Sequence, residues 1–205
     1  MIIKKIKDPY EITIFGKGYF GEGIYKSYDN GKVSKEYTIW YDMLKRCYNP
    51  KCHERYPTYI GCEVCDEWLN FQNFAKWHNE NYYEIPGERT ALDKDILVKG
   101  NKIYSPNTCI YVPQNINSLF TRRNVDRGEF PIGVTFDKRR NKYKAYCHVN
   151  STMKTLGRYN TPEEAFMAYK TFKEKRIKEL ADEYIELVPE VLYNAMYNYE
   201  INYND

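Results

Sequence analysis

The residues Leu92-Asp93-Lys94-Asp95, Gly100-Asn101-Lys102, Tyr104-Ser105-Pro106-Asn107-Thr108-Cys109 and Pro113-Gln114-Asn115-Ile116-Asn117 decide how this chain is read. A strand carrying a carboxylate leads through a Gly/Asn/Pro loop into a second strand of β-branched and aromatic residues, then into a short helix bearing asparagine. The order is β-β-α. It can set Asp93 beside Asn117 as two oxygen ligands for a hard divalent cation. Such an ion stabilises the leaving oxygen in phosphodiester hydrolysis.

Over residues 36–120 the chain resembles the HNH endonucleases, specifically the free-standing homing-type proteins of bacteriophages. The strings Ile39-Trp40-x-x-Met43-Leu44-x-Arg46-Cys47-Tyr48 and Val64-Cys65-Asp66-Glu67-Trp68-x-x-Phe71-x-x-Phe74 are similar to stretches that accompany that module. The resemblance implies a metal-binding carboxylate followed by a general-base histidine, a middle asparagine that steadies the loop, and a final histidine or asparagine on the helix. Asp93 takes the carboxylate position and Asn117 the helix position, with Mg²⁺ or Mn²⁺ as the implied cofactor. Lys94 stands where the histidine belongs and Thr108 stands at the middle position. A lysine ammonium is a poor proton acceptor near neutral pH unless burial lowers its pKa. Asn107 is the alternative for the middle role, and Asp95 or a metal-bound water is the alternative for the base. In the plain structural alternative, Asp93, Lys94 and Asp95 form an exposed turn or salt-bridge cluster and the asparagines cap the helix.

Composition sets the wider frame. With 205 residues, 42% of them apolar, the chain has room for one medium domain or two small ones, and the motif spacing favours two. Its 22 tyrosines, nine phenylalanines and three tryptophans predict cores and surfaces built on amphipathic rings. No segment approaches the roughly 20 apolar residues of a membrane span, and the charged start has no apolar stretch behind it. The expectation is a soluble, unsecreted protein of the cytoplasm, the host cytoplasm if a phage encodes it. Residues 1–120 carry 16 basic and 15 acidic groups, residues 121–160 carry 10 and 3, and residues 161–205 carry 5 and 10. The middle window therefore has the charge of a local polyanion-binding face.

Six cysteines raise metal and disulfide readings. Without a secretion signal, disulfides are disfavoured. Cys47-x4-Cys52 and Cys62-x2-Cys65, with His53 as a spare ligand, have the makings of a four-thiolate zinc site. Cys47, however, falls on the apolar face of a predicted helix, which favours buried free thiols. Cys109 and Cys147 fall in strands and read as core.

Along the chain, residues 1–35 are short strand-like pieces separated by glycines. Gly16-x-Gly18-x-x-Gly21 formally matches a dinucleotide loop, but no long amphipathic helix follows it and the reading is set aside. Apolar spacing predicts helices over 37–47 and 68–77, which would clasp the β-β-α unit. Residues 121–131 read as a linker. Three short strands are predicted over 132–136, 142–149 and 152–159, with Gly157 as a candidate bulge. Thr161-Pro162-Glu163-Glu164 then opens a helix with a threonine cap, a proline in the first turn and a capping-box glutamate. A second short helix after Pro189 is expected to pack on it.

In the middle strand Tyr143, Ala145, Cys147 and Val149 alternate with Lys142, Lys144, Tyr146 and His148, so one face is core and the other cationic. Arg139, Arg140, Lys154 and Arg158 are expected to extend the cationic patch. Gly133-Val134-x-Phe136, Lys142-Tyr143-x-Ala145, Leu156-Gly157-x-Tyr159-x-Thr161-x-Glu163-Glu164-Ala165 and Ala168-Tyr169 resemble the DNA-binding domain of the APETALA and ethylene-response-factor type, over about 50 residues. That resemblance implies a sheet laid on duplex DNA, its lysines and arginines meeting phosphates and guanine edges.

The sequence thus predicts an α+β protein: an HNH-like β-β-α domain wrapped by helices over 1–120, a linker, and a three-stranded antiparallel sheet packed on a helix over 132–205. The leading expectation is a metal-dependent homing-type DNA endonuclease of a bacteriophage. The second is a catalytically inactive DNA-binding relative acting as a regulator or host-defence antagonist, and the third a protein-interaction module built on the tyrosine-rich N-terminal surface. The expected partner is double-stranded DNA, with no membrane, and the expected state is a monomer or weak dimer.

Overall fold

The computed structural model describes residues 8–120, 129–149 and 152–204, and the chain divides into two compact units after Gln114. The fold is mixed α+β with small sheets. No helix among the described residues is long and apolar enough to cross a membrane. Most of the expected linker, residues 121–128, lies outside the described residues.

The first unit begins with a strap in which Ile14 bridges Gly18 in a tight turn and Tyr19 pairs with Asn70. The glycine-rich string therefore serves a turn, and no helix follows it. Strands β1 (Tyr28–Asp29) and β2 (Lys32–Val33) form a short hairpin that leads into α1 (Lys35–Tyr48). Ser34 starts this helix by accepting the Tyr37 N–H through its hydroxyl at 3.3 Å. Lys45 and Arg46 sit in the last turn, where cations suit the helix dipole. Asn49 then caps α2 (Pro50–Arg55), with proline at the first helical position.

After the single turn Pro57–Tyr59, β3 (Glu63–Val64) leads to α3 (Asp66–Leu69) and α4 (Phe71–Asn81). The expected second helix is thus split at Asn70, whose side chain accepts the Gln72 N–H and starts a new helix. Strand β4 (Thr90–Asp93) pairs antiparallel with β6 (Ile110–Pro113), placing Asp93 opposite Ile110. The intervening β5 (Ile103–Tyr104) instead runs parallel to β3. Trp40, Met43, Leu44 and Cys47 from α1 meet Trp68, Phe71, Phe74, Tyr104 and Tyr111 in one buried cluster. The Trp40 indole N–H donates to the Trp68 carbonyl at 2.7 Å, satisfying a polar atom at the centre of that core.

Strand β6 runs directly into α5 (Gln114–Phe120). In the second unit the Asn115 side-chain amide donates to the Tyr184 hydroxyl at 3.1 Å, and the Phe120 ring packs edge-on to Tyr199 at 4.7 Å. Strands β7 (Val134–Asp137), β8 (Lys142–Val149) and β9 (Thr152–Tyr159) form an antiparallel sheet in that order. Helix α6 (Pro162–Glu183) lies across one face, burying Ala165, Phe166 and Tyr169 against Val134, Ala145 and Cys147. Its capping box is complete: Thr161 accepts from the Glu164 N–H, and the Glu164 carboxylate accepts from the Thr161 N–H. Helix α7 (Glu190–Tyr197) packs on α6 through Leu192 and Met196, and Lys170 and Glu174 clasp the Ile201 backbone beyond it.

Candidate functional site

Strand alternation builds the cationic face. In β8, Ala145 and Cys147 are buried against α6, so Lys142, Lys144, Tyr146 and His148 point the other way. Across the ladder Lys144 pairs with Thr135 of β7 and Arg158 of β9, and Lys142 pairs with Asp137. The Lys144 ammonium lies 5.7 Å from the Tyr146 ring centroid, and the Tyr146 ring meets His148 edge-on at 5.9 Å. Lys142 is hydrogen-bonded to the Asn160 side chain.

Two of the predicted arginines are held by an acid. Asp137 Oδ2 accepts from Arg158 Nε at 3.0 Å and from an Arg140 terminal nitrogen at 3.4 Å. These guanidiniums, Arg158 foremost, hold the Asp137 carboxyl below its ordinary range. Arg139 is exposed and has no partner among the described residues.

Lys154 does not join this face. Pairing passes from Ala145–Gly157 to Tyr146–Thr155, so Leu156 is an extra residue and the alternation of β9 inverts there. Lys154 consequently pairs with Cys147 on the α6 side, its ammonium 4.9 Å from the Phe172 ring centroid. Gly157 was the visible signal of the bulge, because a Cβ there would sit 2.6 Å from the Tyr159 hydroxyl. Met153 and Thr155 occupy the outward positions instead.

The carboxylate turn lies in the first unit. Asp93 Oδ1 accepts the backbone N–H groups of Asp95 at 2.9 Å and Ile96 at 2.8 Å, which folds the chain back at the end of β4. Burial raises the Asp93 pKa, and the negative charge of Asp95 raises it further. The expectation of a wholly exposed turn therefore holds for Asp95 alone. Lys94 is buried, with 8% of its surface exposed, although nothing in its sequence context demands it. Its ammonium donates to the Asn101 carbonyl at 2.9 Å and to Asp95 Oδ2 at 3.2 Å, above the Tyr104 ring. With acceptors engaging its protons, this ammonium is arranged as a donor.

The Thr108 hydroxyl donates to the Ile103 carbonyl at 2.8 Å and contacts Ser105 Oγ at 2.8 Å, so it braces the loop. Asn107, one residue earlier, is exposed on the wall of an open cavity of about 370 Å³ shared with Trp77, Glu67 and Lys76. Asn117 lies on α5 in the second unit, whereas Asp93 belongs to the first.

The cysteines are free. Cys47 and Cys62 are buried, and burial pushes the Cys47 thiol up to about 12 and raises that of Cys62. Cys109 is buried just ahead of β6, not within it, and its thiol is also pushed up to about 12. Among the described residues no three His, Cys, Asp or Glu side chains converge to hold a metal ion.

Two features have no counterpart in the sequence reading. Asp137 was one acid among many cations; its partner Arg140 lies three residues on in the turn, and its partner Arg158 is brought to it by the arrangement of the strands. His78, buried on α4, is bonded through Nδ1 to the Tyr111 hydroxyl at 2.6 Å and stacked on Tyr82 at 4.8 Å. Its helical spacing marked only an inward position. No protein-family model, curated protein or solved structure matches the chain.

Proposed function

We propose that this protein binds duplex DNA through the outer face of the β7-β8-β9 sheet. The observation that carries the reading is the face of β8, where two lysines, a tyrosine and a histidine stand in line with Arg158 beside them. Lysine and arginine neutralise phosphates, and tyrosine packs on sugar or base without demanding one sequence. The acidic excess of residues 161–205 places most negative charge on the helical part of the unit. The test is fluorescence anisotropy with a duplex at several salt concentrations. Lys142→Ala with Lys144→Ala should weaken binding about 10-fold or more and reduce the salt slope by about 2, roughly one for each phosphate that is no longer neutralised. Unchanged affinity would remove the sheet face from the interaction and favour the tyrosine-rich N-terminal surface.

The Asp93–Asp95 pair favours a second reading, metal-dependent phosphodiester cleavage. Two carboxyls two residues apart on one turn suit a shared hard cation, and a Mg²⁺ or Mn²⁺ site needs only one or two protein carboxylates. Asp93 and Asp95 would hold the ion, which would supply Lewis-acid stabilisation of the leaving oxygen. Lys94 would donate a hydrogen bond and would not act as the base. The nuclease and the retired relative are separated by incubating supercoiled plasmid with Mg²⁺ or EDTA. On this reading nicking is seen with Mg²⁺, disappears in Asp93→Asn, and rises at least 10-fold in Lys94→His, a typical gain from a positioned general base. Intact plasmid with all three proteins, together with salt-sensitive binding, would leave DNA binding without cleavage.

A further inference from the structure

We infer that Asp137 and Arg158 form a reader of one G·C base pair at the centre of the sheet's outer face, an inference that rests on that face meeting duplex DNA. Arg158 stands on β9 and Asp137 on β7, with β8 between them. The 3.0 Å bond joining them therefore carries the Arg158 side chain across the outer surface of the middle strand. It crosses between the positions of Lys142, which pairs with Asp137, and Lys144, which pairs with Arg158.

The bond leaves the useful atoms available. It uses the Arg158 Nε–H, and neither terminal nitrogen has a partner among the described residues. An arginine fixed at Nε presents its remaining N–H groups as a planar fork, which matches the O6 and N7 acceptors of guanine in the major groove. Among the described residues Asp137 Oδ1 receives only the Arg140 backbone N–H, at 3.3 Å, and keeps lone-pair capacity for a further donor. The exocyclic amino group of cytosine is such a donor. Side by side, the fork and the carboxylate offer a donor set and an acceptor that are complementary to the two halves of one G·C pair.

Charge placement points the same way. A carboxylate amid cations repels phosphate, so a face built only for the DNA backbone would lose affinity by carrying one. Asp137 also draws in Arg140 and so sets both guanidiniums from a single point. Its side chain is 17% exposed and that of Arg158 36%, so the pair is partly open to solvent and contributes little to stability. Variants at either position should therefore fold.

The full chain is used to select binders from random-sequence duplexes, and affinity is then measured for the selected site and for a copy with its invariant G·C changed to A·T. Wild type should prefer the G·C copy by about 10-fold or more. Arg158→Lys keeps the charge but lacks the fork, and Asp137→Ala removes the acceptor and the brace. Both should bind the two copies within about 2-fold of each other, because the loss falls on the G·C copy more than on the A·T copy. Retained discrimination in both variants overturns the inference and leaves Asp137–Arg158 a structural ion pair, as does an equal loss of affinity for both copies. Absence of salt-sensitive binding by wild type overturns the DNA reading itself, an outcome distinct from loss of discrimination by a protein that still binds.

Discussion

Gly133→Ala is expected to destabilise the second unit by about 3 kcal/mol, as the sum of left-handed backbone strain and overpacking. Gly133 has a φ of +78°. A Cβ built there would lie 2.1 Å from Tyr169 Cδ2 and 2.3 Å from Cγ, inside the contact surface of a ring that is itself buried. The backbone has little room to retreat, because the Gly133 carbonyl accepts from the Tyr146 N–H at 2.8 Å and so holds the start of β7 to β8. Either that bond or the seat of α6 on the sheet must yield. Urea unfolding followed by tyrosine fluorescence would show the loss as a fall in midpoint. Tyr169→Ala should cost about 3 kcal/mol alone, since it opens a cavity. Combined with Gly133→Ala it should cost clearly less than the two separately, because the ring that clashes is gone. Strict additivity, or a loss below about 1 kcal/mol for Gly133→Ala, would contradict the close approach of ring and glycine.

The same glycine shows what the sequence did and did not disclose. Gly133 was part of a recognisable string, and the strands, the turn between β7 and β8 and the capping box of α6 were all legible, because alternation and capping are local rules. What sequence pattern could not supply was the consequence of pairing. One extra residue at Leu156 moves Lys154 to the opposite face and leaves Arg158 on the cationic one, and only the ladder shows on which side of the bulge each falls. The tie from Asp137 to Arg158 spans two strands and 21 residues of sequence, so neither periodicity nor spacing predicts it.

Lys94 marks a similar boundary in the first unit. As a residue type it signalled a missing base, which is a statement about chemistry that composition can make. Its burial depends on Asn101 and Tyr104 folding over it from β5 and the preceding loop. There the Lys94 side chain donates to the Asn101 carbonyl and to Asp95 Oδ2. It supplies, beside the Asp93–Asp95 pair, one positive charge where the resemblance led one to expect a neutral imidazole. The carboxylate turn therefore offers a donor and a pair of acceptors.

His78 gives the largest expected dependence on pH. Its ring is 4% exposed, and burial, with the Lys35 charge as a smaller contribution, lowers its pKa from 6.5 to about 4. In the tautomer protonated at Nε2 the neutral imidazole accepts the Tyr111 hydroxyl proton at Nδ1, and protonating Nδ1 would reverse that bond and place a charge in the core. The sign follows from proton counting. Between pH 6.5 and about 4 the unfolded chain carries a proton on His78 and the folded chain does not, so stability falls as pH falls through that window. The full difference amounts to at most about 3 kcal/mol, complete near pH 4. Asp93 works in the opposite direction: its folded pKa is raised, so the folded chain takes up that proton first and gains stability on acidification. A loss of stability beginning near pH 6.5 is thus not attributable to that carboxyl. His78→Gln keeps an acceptor for Tyr111 and cannot titrate. Chemical denaturation of both proteins at pH 7, 6, 5 and 4.5 should show a wild-type stability that declines from about pH 6.5 and a variant that is nearly flat until the carboxylates begin to protonate. Parallel curves would mean that His78 is protonated in the fold, and the Tyr111 hydroxyl would then have to accept the bond that it is here placed to donate.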